Sequence, residues 1–278
     1  MVAPSVFDGL SLRAVERQGF TVAHLSGSAG AASFLGLPDI GLLSMTEVVE
    51  HVRRLAQVAK VALVADGDTG YGGPSQVRRL IELLEGAGIA GVHLEDQRFP
   101  KRCGFLPGRE VIDAVEFEER ITAAVRARQD EDFVVIARTD ALDLLGLEEA
   151  IERAKRYLGA GADLVFIEGI SSTEELEAIG QGVVGSKMLN MVGSIARVDV
   201  ADADLEVLGY KLLIYPALLV DAASRAMDET LAALSAKGRD FRATPYLGPV
   251  GLARSMGIEE WMPGIFDAAG PTGSDAGQ

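Results

Sequence analysis

A single cysteine, Cys103, stands in 278 residues. No disulfide can form within the chain, and a reducing, cytoplasmic setting is the expectation. Aromatic residues make up only 6% of the sequence, which disfavours a β-sandwich and suits close packing of helices on strands. Positive charge is also scarce: 26 Lys and Arg face 41 Asp and Glu, a formal charge of −15. Nucleic-acid backbones and anionic membrane surfaces repel such a chain, so neither is expected as a partner. An anionic small molecule stays admissible, because one metal ion or arginine can invert the field inside a cleft. No apolar run approaches bilayer length, and no basic segment followed by an apolar one opens the chain.

What is present is a core. Apolar residues make up 48% and collect in short β-branched runs, each followed by a helical pattern. The runs predict strands at 2–6, 22–26, 61–65, 91–94, 133–137, 163–167, 187–190 and 212–215. They are apolar throughout rather than alternating, as a parallel sheet covered on both faces requires. Ser44 and Glu47 form a capping box for a helix reaching Val58. Pro74 suits a first helical turn, with Val77, Leu80, Ile81 and Leu84 as the buried stripe. Further helices are predicted from Asp113 to Arg128 and over 147–158, 173–179, 201–208 and 222–237. Eight such units imply an α/β fold of the closed (β/α)₈, TIM-type kind, one domain over 1–269 with C-terminal helices, followed by a disordered tail at 270–278. The competing architecture, an open doubly wound sheet, lacks its G-x-G-x-x-G after the first strand. One connection is far longer than a βα loop needs to be, from Glu95 to Asp113, as functional lids often are.

Polar residues end nearly every strand, and in such barrels those ends converge on one mouth. Any one of them reads equally well as a turn or helix cap. As a set they point to a site. Asp66, Asp68 and Glu95 would repel one another and rise in pKa unless a cation joined them. Oxygen ligands without cysteine or a histidine pair favour Mg²⁺, with Mn²⁺ as the alternative. The blander reading is a cap plus surface carboxylates. Arg138, at the end of an apolar strand, calls for a buried partner: a substrate carboxylate, a metal ligand, or a structural salt bridge. Cys103 lies on the long loop behind Lys101 and Arg102, whose charges are expected to favour the thiolate and an acid/base role; an inert packing thiol is the alternative. His51 reads as a surface residue of its helix, His93 as core or as support behind the site, and His24 is open between reaching the mouth and not.

Four ordered motifs, ADGDTGYGG, GVHLEDQ, PKRCG and IARTDA, resemble the isocitrate lyase/phosphoenolpyruvate mutase superfamily, most closely its short branch of methylisocitrate lyase, dimethylmalate lyase and carboxyphosphonoenolpyruvate mutase. The resemblance implies a Mg²⁺-dependent barrel acting on small α-oxo or α-hydroxy carboxylates. It implies a metal shell of Asp66, Asp68 and Glu95, with Asp39 linked through water. Ser26, Gly27 and Ser28 would hold the oxo-acid carboxylate, and Arg138, Gly104, Phe105, Glu168 and Asn190 would contact the rest of the substrate. Cys103 would be the acid/base on a mobile lid, with Lys101 beside it. It also implies a homotetramer, a dimer of dimers exchanging a C-terminal helix. Two positions depart from the lyase pattern: Phe105 stands where histidine is usual, and Gly193 stands where a glutamate follows the Asn190 stretch. The leading expectation is a Mg²⁺-dependent carbon–carbon lyase cleaving a small 2-hydroxy di- or tricarboxylate. Alternatives are a phosphonomutase or C–P hydrolase, an oxaloacetate decarboxylase, and a barrel that binds an oxo-acid without turnover.

Overall fold

The computed structural model describes residues 1–193, 195–197, 200–241 and 247–266; the tail expected to be disordered falls outside them. Eight strands, β1 (Val2–Val6), β2 (Val22–Leu25), β3 (Ala62–Asp66), β4 (Gly91–Glu95), β5 (Val134–Thr139), β6 (Leu164–Ile167), β7 (Ser186–Asn190) and β8 (Tyr210–Tyr215), follow one another around a closed barrel. Every pairing is parallel, and β1 closes on β8 through Val2 opposite Leu213 and Ala3 opposite Ile214. The open-sheet alternative is thereby excluded. By contact the chain divides into a barrel unit, Met1–Ala223, and a second unit beginning at Ser224. Among the described residues no helix is long and apolar enough to cross a membrane.

Side chains alternate between the two faces of a strand, which sorts the core into two clusters. Ala3, Val22, Val64, Ile136, Phe166, Met188, Leu212 and Ile214 fill the lumen. The intervening strand residues, such as Ala23, Leu63, Val92, Val135 and Val165, pack outward against the helices. From the helix Pro74–Glu85, Val77, Leu80, Ile81 and Leu84 are all buried, as the stripe predicted, each contributing about 1.5–3 kcal/mol relative to exposure. Ser44 and Glu47 form the expected box, Glu47 N–H donating to Ser44 Oγ and Ser44 N–H to Glu47 Oε2 at 2.9 Å.

Several boundaries differ from the sequence reading. Ser26 ends β2 by capping the short turn Gly27–Gly30, where its Oγ accepts from Ala29 N–H. A helix at Gly9–Arg17 was not predicted. Its capping box uses Asp8 and Ser11 in place of a glutamate at the third position, a weaker signal in sequence than Ser44/Glu47. The final long helix begins at Leu218, four residues ahead of the expected start.

Candidate active site

One step above the apolar lumen, the same alternation turns polar residues inward. Ser5 follows Ala3, His24 follows Val22, Asp66 follows Val64, Arg138 follows Ile136, Glu168 follows Phe166 and Asn190 follows Met188. Six strand ends thus deliver a ring of polar and charged groups to the carboxyl face without any long-range sequence signal. Ser26, Ser28, Asp39, Asp66, Cys103, Gly104, Phe105, Arg138, Glu168 and Asn190 line one cleft that opens to solvent, the kind of concave site a small acid requires. Of the residues expected at the site, Lys101, Asp68, Glu95 and Gly27 stand behind this lining and touch members of it.

The lid accounts for most of the geometry. Residues 97–112 form no strand or helix beyond a single antiparallel bridge between Gln97 and Val111. Gln97 clasps the loop from inside: its Oε1 accepts from Arg102 N–H at 2.9 Å and its Nε2 donates to Arg102 O at 2.8 Å. Cys103 N–H donates to Asp39 O at 3.0 Å, which ties the lid to the segment after β2. At Gly104 the backbone rests on the site, and a Cβ there would stand 2.8 Å from both Arg138 Nη2 and Glu168 Cγ. Only glycine allows that approach.

Lys101 corrects the sequence reading. Its ammonium is buried at 3% exposure, 2.6 Å from Asp39 Oδ1 and 2.7 Å from Asp68 Oδ1. Burial alone would lower its pKa, but Asp68, Glu95, Asp66 and Asp39 more than reverse this and fix the charge. Arg102 turns away to Pro107 O at 2.7 Å. With one cation neutralised and the other removed, burial dominates at Cys103 and pushes its thiol up rather than down; Arg138 and Lys101 only soften the shift. Cys103 rests as a neutral thiol carrying a proton, not as the expected thiolate.

Arg138 finds buried partners of two of the expected kinds, a structural salt bridge and a candidate metal ligand. Its fork is held by Asp140, Nε to Oδ2 at 2.8 Å and Nη2 to Oδ1 at 2.9 Å, with Glu95 Oε2 at 3.3 Å and Glu168 Oε2 at 3.5 Å beyond. Asp140 is itself braced by Arg109 and Gln97. Behind it, Asp96 accepts from Thr139 Oγ1, Asp140 N–H, Arg153 Nη1 and Tyr157 OH at 2.7–3.0 Å. Fully buried, this network sets the angle at which Arg138 enters the cleft. Asp96 and Asp140 fall within the motifs GVHLEDQ and IARTDA, but nothing in those motifs shows that they orient Arg138.

Of the three histidines only His51 departs from expectation: His93 is buried as expected, and His24, left open, reaches the cleft. Ser5 Oγ, His24 and His93 form a buried chain, with 2.7 Å from Ser5 Oγ to His24 Nδ1 and 2.9 Å between the two Nε2 atoms. Burial lowers His24 to about 3 and His93 to about 4, so both rings are neutral. Both line the cleft. His51 is not a surface residue; it is half-buried, with Nε2 lacking a hydrogen-bond partner.

The acidic group suits a divalent ion. Asp39, Asp66, Asp68, Glu95, Asp140 and Glu168 outnumber Lys101, Arg109 and Arg138 around the cleft. Burial raises Asp68 to about 6 and lifts Glu95 well above the carboxylate range. Burial also acts to raise Asp66, but His93 when protonated, Lys101 and Arg138 together hold it low. Glu95 Oε1 is buried without a partner, an acceptor that a cation would satisfy. Asp68 is kept in the left-handed region at φ 47°, and such strain collects at functional sites. Among the described residues no three such side chains enclose an ion by themselves. Mg²⁺ keeps several of its waters, so a partly open oxygen set fits it.

Comparison with known proteins agrees with this geometry. The family model described as phosphoenolpyruvate phosphomutase matches residues 1–235. The 2,3-dimethylmalate lyase of Eubacterium barkeri is 40% identical over 84% of this chain and 81% of its own. A probable 2-methylisocitrate lyase of Corynebacterium glutamicum is 41% identical over 84% and 77%. A crystal structure of 2,3-dimethylmalate lyase, a PEP mutase/isocitrate lyase superfamily member, superposes with a TM-score of 0.89 at 35% identity, covering 97% of this chain and 93% of that one. A phosphonopyruvate hydrolase in complex with oxalate and Mg²⁺ superposes with a TM-score of 0.83 at 30% identity, covering 94% and 91%. The barrel, the acidic mouth and the cysteine-bearing lid therefore belong to a member of the phosphoenolpyruvate mutase family, within the isocitrate lyase/phosphoenolpyruvate mutase superfamily and similar over most of its length to that superfamily's lyases.

Proposed function

We propose that the protein is a Mg²⁺-dependent carbon–carbon lyase that cleaves a small 2-hydroxy acid carrying two or three carboxylates into pyruvate or glyoxylate and a second acid. The observation that carries this reading is the seating of Cys103, a neutral thiol, over a cleft that also holds Arg138, Glu168, Asn190 and Asp66. Asp66, Asp68 and Glu95 would hold the ion, with Asp39 beyond them, and bound Mg²⁺ would supply the positive charge that draws electrons from the hydroxyl and carboxylate oxygens.

Ser26, Gly27 and Ser28 bind the oxo-acid end at the start of the turn after β2. Arg138 faces the fragment that departs, oriented by Asp140. The substrate hydroxyl gives its proton to a carboxylate of the wall, and its oxygen becomes the new carbonyl. The bond between C2 and C3 breaks, and its electron pair stays on C3, spread into the adjoining carboxylate. Cys103 Sγ–H then protonates C3, and the thiolate left behind is eased by Arg138 and Lys101. No oxidation occurs. The folded lid keeps water from the carbanion.

The test is direct. With Mg²⁺, the purified protein is expected to release pyruvate from 2,3-dimethylmalate, 2-methylisocitrate or both; EDTA stops the reaction and added Mg²⁺ restores it. Silence toward both acids, with phosphonopyruvate consumed in phosphorus NMR, replaces this reading with carbon–phosphorus chemistry.

Assembly into a homotetramer belongs to the same proposal. The helix Leu218–Lys237 buries no side chain in the single chain, and Leu218, Met227, Leu231 and Leu234 are exposed at 43–60%. A second copy would cover them. Light scattering is expected to give four times the chain mass of 29.4 kDa; a monomer at micromolar concentration rejects this part.

A further inference from the structure

The cleft is polar on one part of its wall and apolar on the rest. Phe105, Phe166, Val192, Ile214, Pro216 and Ala217 supply the apolar part. Phe105 is 56% exposed although it faces the cavity, so an aromatic ring waits there for an apolar cover. Gly193 stands beside it: a Cβ on that residue would lie 3.6 Å from Phe105 Cε1. Its φ of +69° is a conformation that L side chains rarely adopt. No side chain of residue 193 reaches the cleft, and the Phe105 ring takes that side.

The polar part offers little to a third carboxylate. Among the described residues of the lining, Arg138 is the one permanently charged cation, and Asp140, Glu95 and Glu168 already share it. His24 and His93 are buried at 1–2% exposure and spend their facing nitrogens on each other, with Ser5 Oγ on the far side of His24. Glu168 and the unpartnered Asn190 Oδ1 are acceptors, which repel or ignore a carboxylate. Of the carboxylates on a substrate, one has the Ser26–Ser28 turn and the ion, and a second has Arg138. Another would lose its water against Phe105 with no further charged donor among the described lining residues in return, which is strongly unfavourable.

We propose that the departing fragment carries a short alkyl group on C3, against the ring of Phe105, so that 3-alkylmalates are the substrates and tricarboxylates are rejected. This rests on the lyase reading and narrows it. Discrimination by an alkyl contact is worth about 10- to 200-fold.

Two measurements on the full chain with Mg²⁺ decide it. Wild-type kcat/KM is expected to favour 2,3-dimethylmalate over 2-methylisocitrate by at least about tenfold. Phe105→His, which places a donor there, narrows that ratio chiefly through the KM for 2-methylisocitrate; Phe105→Ala lowers kcat/KM for 2,3-dimethylmalate by about tenfold. Residue 105 is largely exposed, so both variants should melt with the wild type. Equal or better cleavage of 2-methylisocitrate by the wild type overturns the inference and leaves the lyase standing. If neither acid is cleaved, the lyase reading fails, and calorimetry then addresses the pocket alone. Tighter binding of 2,3-dimethylmalate, weakened by Phe105→Ala, supports the inference; equal or tighter binding of 2-methylisocitrate overturns it.

Discussion

With Cys103 replaced by serine, pyruvate release is expected to fall by about 100- to 10,000-fold, the usual loss when a positioned general acid is removed. The thiol sits half-buried on the lid with its backbone N–H fixed to Asp39 O, so serine occupies the same place with a smaller, far less acidic group. Because burial already keeps the sulfur protonated, the loss should appear in kcat, with KM changed only a few-fold. Two readouts separate a proton donor from a packing residue. In D₂O the wild type places one deuterium on the departing acid at C3, and the residual turnover of Cys103→Ser loses stereochemical control of that position. Mg²⁺ binding by calorimetry stays at the wild-type value. Turnover by Cys103→Ser within threefold of the wild type would remove the thiol from the chemistry.

Arg138→Ala should damage both stability and activity. Asp140, Glu95 and Glu168 are each nearly inaccessible to solvent, and deleting their shared cation leaves buried charge uncompensated, at a cost of about 3–5 kcal/mol. For a barrel of this size that lowers Tm by roughly 6–20 °C. The pH dependence has a definite sign. Burial acts to raise Asp140, but Arg138 and Arg109 outweigh it and hold its pKa below the ordinary value. The pair therefore stabilises the fold fully above the ordinary aspartate pKa and is lost as pH falls through the lowered one. The Tm gap between wild type and variant is widest near neutrality and closes in acid. Arg138→Lys keeps the charge but not the two-pronged contact with Asp140, so it recovers most of the stability and little of the activity. An Arg138→Ala protein melting within about 2 °C of the wild type would show that the carboxylates are not held by this residue.

The barrel was legible because its signals are local. Apolar runs, capping boxes and the stripe of Val77, Leu80, Ile81 and Leu84 are each contained within a dozen residues. The acidic mouth was legible for a related reason: once the strands are counted, Asp66, Glu95, Arg138, Glu168 and Asn190 all fall at their ends. What stayed hidden depends on contacts between distant segments. Lys101 follows Pro100 and precedes Arg102 in sequence, and nothing there shows that it reaches Asp39 and Asp68 while Arg102 points outward. The thiol's state follows from its burial, which outweighs Arg138 and Lys101, and burial of a loop residue leaves no mark in the sequence, so the sign came out reversed. The Ser5–His24–His93 chain was within reach, since counting in twos from Ala3, Val22 and Gly91 puts all three on the inner face.

The base of the lid carries one more consequence. Ile112 N–H donates to Asp96 O, Arg153 Nη1 donates to Ile112 O and to Asp96 Oδ2, and Gln97 bridges Val111. Both stems of the flap are thus riveted to one buried residue of the barrel wall, Asp96, directly through its main-chain carbonyl and through Arg153 by its carboxylate. The stretch from Arg98 to Glu110 lies between those stems as an exchangeable cassette, so a transplant between relatives that keeps Lys101 and Arg109, whose carboxylate partners lie outside that stretch, should exchange substrate preference and leave the scaffold undisturbed.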